Sequence, residues 1–420
     1  MLRLALASSP EFVLLLDLGL TILAALGFGF LFSKAKLPIV AGQLVAGMLI
    51  GPYGLGLIQD LGVINLLASL GIILLMFTVG LEMDPLDIRR LGPKILIVTI
   101  VELGLTFTSV AIVGFLAGLT YLEAIFAAGV VSITSTAILS KLLVETDTLH
   151  SKGSQLALTV SVVEDVSSIL ILILLPGLVA ADRQLSIIQF LIFVGKGLLL
   201  LIIILGFGLK VAPVIIDRLS MHQEESYRET AFLVALSLGF AFAILSSYFG
   251  FSPAIGAFLA GLMIRGRQAK FVMQKIAPVK DLFVVLFFVS MGTLINIGAI
   301  LTLTIPLFAI LSTAIVGKFV GSWAGARITK ARDQANMVGV AMLPRGEFAF
   351  IIAQEGVGLG VAAQLLYPVA GLSMLVTSVL TSIGLRIIKP RLITAPIIET
   401  TARIPRPHVH HRDRGESAST

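Results

Sequence analysis

LTVSVVEDVSSILILILL, from Leu158 to Leu175, is apolar along almost its whole length yet carries two adjacent acids, Glu164 and Asp165, near its middle. At 1.5 Å per residue a helix of this length spans roughly the ~30 Å hydrocarbon core of a bilayer, which puts both acids deep inside it. Charge at that depth is costly and marks function. Ser161, Glu164, Asp165 and Ser168 recur at i, i+3, i+4 and i+7, so one helical face gathers all four polar groups. The pattern suits a cation site that exchanges a metal ion for protons.

The rest of the chain supports a membrane setting. Its 420 residues are 57% hydrophobic and only 13% charged, with a mean hydropathy of +1.05, whereas soluble domains are nearer 25% charged. The pI of 9.6 follows from basic loops between apolar runs, and no basic patch is interleaved with aromatics, so nucleic acid is not an expected partner. The absence of cysteine excludes disulfides and thiolate metal sites. The first residues, MLRLALASSPEF, resemble a signal peptide, but their apolar part is short and runs on into a full span, so the N-terminus is expected to be retained.

Apolar runs and their punctuation give about thirteen spans, the first beginning near Phe12 and the last ending near Ile388. Basic residues occupy alternate loops: Lys34 and Lys36, Arg89 to Lys94, Lys141 and Lys152, Lys210 to Arg228, Arg265 to Lys280, and Arg327 to Arg332. The positive-inside rule then places the N-terminus outside and the C-terminus in the cytoplasm, in a multi-pass protein of the cell membrane. Residues 393–420 read as a disordered cytoplasmic tail, and the HVHHR within it as solvated sequence rather than a metal site.

The chain also repeats itself. GQLVAGMLI at 42–50 aligns with GAFLAGLMI at 256–264, each soon after a proline, and FTVGLEMD at 77–84 has a looser counterpart at 288–296. These pairs lie seven spans apart, so the copies cross the membrane in opposite directions, a device of secondary transporters with a midplane site. The expected fold is therefore all-α, with inverted-topology repeats at about 12–178 and 228–388, a linker helix at about 187–214, and a transmembrane domain covering 1–392. Repeat geometry picks out two interrupted helices that cross. One carries Ser132, Thr134, Ser135 and Thr136; the other is broken by Pro344 and Gly346. Unwound backbone of this kind persists in a membrane only within protein or beside a wet cavity.

Asp165 is the leading ligand for a monovalent cation. A carboxyl group in such surroundings is neutral unless a cation or base lies beside it, so proton and cation compete for it. Ser161, Thr134 and carbonyls of the broken helix are candidate oxygen ligands. Glu164 is either a second proton carrier or the partner of a buried base, with Lys318 favoured over Lys196 as that base, because an unpaired ammonium at this depth would lose its proton. Arg345 and Glu347 flank the second break; the favoured role for them is mutual neutralisation, and direct ion contact is the alternative. Glu82 is an interfacial acid or part of an ion funnel. Asp17 and Glu102 also fall inside spans and receive no role.

Together, FTVGLEMD (77–84), SITSTAILSKLL (132–143), the Glu164-Asp165 pair, SPAIGAFLAGLMI (252–264), FFVSMGTLI (287–295), Lys318 and PRGEFAFIIA (344–353) resemble the second branch of the monovalent cation:proton antiporter superfamily. The likeness extends to about Leu392. It implies crossed broken helices, a dimerisation domain and a mobile core that carries the ion, hence a homodimer set in membrane lipid. It also implies Asp165 as the essential acid and Glu164 paired with Lys318. A Glu-Asp pair departs from the family's commoner pairs, which leaves the proton stoichiometry open. The expected activity is exchange of Na+ or K+ for H+, with no cofactor. The alternative is a sodium-coupled organic-anion symporter on a related crossed-helix fold. No TVGYG filter marks a channel, and no HExxH marks an intramembrane enzyme.

Overall fold

In a computed structural model of the chain, residues 10–58, 61–83, 92–184, 187–210 and 225–392 are described, and their regular structure is helical throughout. The expected readings of the N-terminus, of the loop that holds Arg89, of residues 211–214 and of the tail fall outside these residues. The helices are α1 (Pro10–Lys34), α2 (Ile39–Ile50), α3 (Leu61–Glu82), α4 (Pro93–Leu116), α5 (Tyr121–Ser132), α6 (Thr136–Glu145), α7 (Lys152–Gln184) and α8 (Ile187–Lys210). They continue with α9 (Glu225–Tyr248), α10 (Pro253–Met263), α11 (Gly266–Thr293), α12 (Ile297–Thr302), α13 (Thr304–Ile328), α14 (Ala335–Ala341), α15 (Glu347–Gly358) and α16 (Ala363–Leu392).

Among the described residues nine helical spans are long and apolar enough to cross a membrane, the broken α5–α6 pair counting as one; α2, α10 and the apolar part of α8 are shorter. One expected boundary changes. Lys270, Lys275 and Lys280 are not in a loop but on the N-terminal part of α11, a 28-residue helix that continues through Pro278. The polar first part of this helix has the composition of a connection, yet it is helical and carries Pro278.

Two bundles form. Helices α1, α2, α3, α9, α10 and α11 pack with one another, and α4 to α7 pack with α13 to α16, while α8 touches both through α7 and α10. Lipid-soluble helices gain nothing from hydrophobic sorting, so close backbone approach at small residues holds such bundles together. A Cβ on Gly42 would strike the Phe28 carbonyl, and one on Gly256 the Phe242 carbonyl. Similarly, a Cβ on Gly47 would strike the Val289 carbonyl of α11, and one on Gly261 the Phe77 carbonyl of α3. The glycines matched in the two similar sequence stretches thus make matching contacts, first with the preceding helix and then with α11 or α3.

The second bundle is built the same way. Gly317, Gly321 and Gly325 of α13 face Thr106, Glu102 and Val98 of α4 one turn at a time. That stripe brings the two backbones together and carries Glu102 to the level of Lys318.

Candidate ion-binding site

Two helices are interrupted in the middle of the second bundle. Between α5 and α6 the chain is extended through Ile133, Thr134 and Ser135; β-branched and hydroxyl side chains favour such a departure, and Ser135 then caps α6 by accepting from the Ile138 N–H. Between α14 and α15 lie Met342 to Gly346, where Pro344 has no N–H to give a helix. The breaks cross. The Ser135 N–H donates to the Pro344 carbonyl at 2.9 Å, and the Thr134 hydroxyl to the Met342 carbonyl at 2.8 Å. A Cβ on Gly346 would strike the Ser135 side chain, so only glycine fits there.

Each break leaves a helix C-terminus with free carbonyls and partial negative charge, and an N-terminus with partial positive charge. Two fully buried cations meet the C-termini. Arg345 donates through Nε to the Val131 carbonyl and through Nη1 to the Met342 and Leu343 carbonyls, at 3.2 and 2.7 Å. Lys318 Nζ donates to the Ser132 carbonyl and lies 2.9 Å from Glu164 Oε1 and 2.5 Å from Glu102 Oε2, all three side chains being wholly buried. Glu164 Oε2 also accepts the Thr134 N–H at 2.7 Å.

The acids lie at the other ends. Glu347 opens α15 and accepts from the Ser135 hydroxyl at 2.9 Å. The expected Arg345–Glu347 neutralisation is corrected here: among the described residues no ion pair joins them, because the turn at Gly346 sends one to the carbonyl ends and the other to an amide end. Asp165 Oδ2 accepts from the Thr136 hydroxyl at 2.9 Å at the start of α6, and its Oδ1 has no hydrogen-bond partner among the described residues.

Asp165 lines a cavity of about 500 Å³ together with Thr78, Glu82, Thr136, Ser140, Lys280 and Glu347. Glu82 is exposed at its rim and belongs to it. Two expected ligands do not. Neither Ser161, whose hydroxyl donates to the Leu158 carbonyl at 3.0 Å, nor Thr134, whose hydroxyl donates to the Met342 carbonyl, lines it, whereas Thr136 does and donates to Asp165. Lys196 is exposed on α8, away from the cluster around Glu164. Glu102, given no role from the sequence, proves to be the second acid on Lys318; the spacing of Gly317, Gly321 and Gly325 was the signal that pointed to that close helix pair.

A family model for the sodium/hydrogen exchanger, transmembrane, matches residues 20–389. The chain is 29% identical over 358 residues to "K(+) efflux antiporter 5" of Arabidopsis thaliana, covering 82% of this chain and 61% of that protein. It is 28% identical over 376 residues to the "Na(+)/H(+)-K(+) antiporter GerN" of Bacillus cereus, covering 88% and 95%. Among solved structures, the sodium proton antiporter MjNhaP1 of Methanocaldococcus jannaschii at pH 8 superposes with a TM-score of 0.72 at 15% identity, over 91% of this chain and 100% of that one.

Proposed function

The chain belongs to the sodium/hydrogen exchanger family, and from that premise we propose that it exchanges a monovalent cation, Na+ or K+, for protons across a membrane by alternating access at Asp165. One contrast carries this reading. Glu164 is held by Lys318 and the Thr134 amide, whereas Asp165 has a single hydroxyl partner and an unpartnered oxygen at a cavity.

The mechanism follows from charge. A bare carboxylate is costly to carry through a bilayer, while one neutralised by a proton or a cation crosses far more cheaply. Asp165 would therefore move when protonated or loaded, and the two ligands exclude each other at its oxygens. Thr136 orients the carboxylate, and Arg345, Glu347 and the Lys318 cluster keep the broken helix ends in place. The organic-anion symporter finds no support: the matching family model and the relatives are those of cation antiporters.

The protein would sit in the cell membrane as a homodimer, its exposed apolar side chains such as Leu23, Leu26 and Phe30 meeting lipid or the second copy. The matching glycine contacts support the inverted repeat, and the basic loops support an outside N-terminus, with the Asp165 cavity open to the cytoplasm.

In proteoliposomes with an imposed pH gradient, adding Na+ or K+ should dequench a pH dye in the wild type and give no response in Asp165→Asn. A mutant that responds like the wild type would refute the assignment.

A further inference from the structure

The seam between the two bundles holds a second polar space, separate from the Asp165 cavity. It measures about 80 Å³ and is lined by Ser69 and Ile72 of α3, Ser252 at the cap of α10, and Ile351, Gln354 and Glu355 of α15. Glu355 and Ser252 face each other across it as lining residues. Gln354 Oε1 is buried and has no hydrogen-bond partner among the described residues. A carboxyl group, an amide oxygen and a hydroxyl thus line one small space at the seam. Buried polar atoms without partners are uncommon in folded proteins and call for an occupant.

Its position relative to Asp165 follows from two helices that line both spaces. On α3, Leu75 to Met83 face the Asp165 cavity, and Ser69, Ile72 and Ile73, earlier on the helix, face the second. On α15, Glu347 faces the first and Glu355 the second, a separation of roughly 12 Å along the axis at 1.5 Å per residue. The two spaces lie on opposite sides of the helix crossing. One is wide; the other is small. A space of this size holds a few waters or one partly dehydrated ion, and is far below the ~300 Å³ that small organic ligands require.

We propose that Glu355, Gln354 and Ser252 form a second station for a monovalent cation, in the narrow space on the membrane face opposite the Asp165 cavity. The inference rests on the antiport reading and extends it: the cation exchanged at Asp165 enters or leaves by way of Glu355 when the seam opens on that side. Hard oxygen donors suit such an ion. The station also explains why α15 carries an acid at its start and a Gln-Glu pair near its end around an apolar stretch.

The chain has no cysteine, so a single introduced thiol can be addressed directly. Gln354→Cys and Ser140→Cys, the second lining the Asp165 cavity, are reconstituted in proteoliposomes of known orientation and treated with a membrane-impermeant cationic thiol reagent. Gln354→Cys should react from the face opposite to Ser140→Cys, and saturating Na+ or K+ should slow its labelling several-fold. Reaction from the same face, no reaction from either face, or indifference to both cations would overturn the proposal; Ser69→Cys replaces Gln354→Cys if that variant does not insert. Separately, Glu355→Gln should lower several-fold the exchange started by adding cation on its own face, with Glu355→Asp restoring most of it. Loss of wild-type exchange, or exchange that survives Asp165→Asn, would instead overturn the antiport reading, which these labelling results leave untouched.

Discussion

At the scale of single residues, two adjacent acids on one helix have different fates because their neighbours differ. Glu164 belongs to a closed cluster in which Lys318 meets two carboxyl groups and a helix-terminal carbonyl. Breaking a buried ion pair by removing one partner costs about 3–5 kcal/mol, since the remaining charge has neither water nor a counter-ion. Lys318→Ala should lower unfolding free energy in detergent by about that amount, and Lys318→Gln combined with Glu164→Gln should cost clearly less than the sum of the two; additive losses would show that the groups are not coupled. Asp165 depends on Thr136 for its one donor. Thr136→Val should weaken cation affinity several-fold, from the loss of about 1 kcal/mol of hydrogen bonding, and Thr136→Ser should restore it. Equal affinities in Thr136→Val and wild type would remove Thr136 from the site.

At the scale of elements, hydropathy made most helices legible, because apolar runs and their breaks are local properties. Pro344 and Gly346 announced one interruption by themselves. The other, at Ile133 to Ser135, contains neither proline nor glycine, and only its place in the repeat exposed it. Nearness in sequence suggests that Arg345 and Glu347 are partners, whereas each answers to the helix end it faces. Glu102 had no legible role, since its partner lies on a helix more than two hundred residues away and only the glycine spacing on α13 records their approach. That approach is testable. A leucine at Gly321 would collide with the backbone of Glu102 and part α4 from α13, so Gly321→Leu should give protein that unfolds at markedly lower temperature than Gly195→Leu, where a Cβ meets open space. Similar melting temperatures would deny that the glycine stripe holds these helices. Gly346→Ala should abolish exchange by displacing Ser135 at the crossing while the protein still inserts. Retained exchange would mean that the crossing tolerates a shift.

For the whole molecule, two bundles meet at a seam that holds a wide cavity at Asp165 and a narrow one at Glu355, with α8 joining the bundles. Such a body would expose one buried site to either side if the bundles shifted against each other, and the charged cluster around Lys318 lies inside one of them. The central claim is that proton and cation compete for the same carboxylate, and it is tested most directly by the apparent KM for Na+ or K+ as a function of pH. Competition at Asp165 predicts that lowering the pH raises the apparent KM, by up to about tenfold per pH unit where a single proton is displaced, with the maximal rate unchanged at saturating cation. A maximal rate that falls with pH at constant KM would contradict it, because proton and cation would then be binding at separate places.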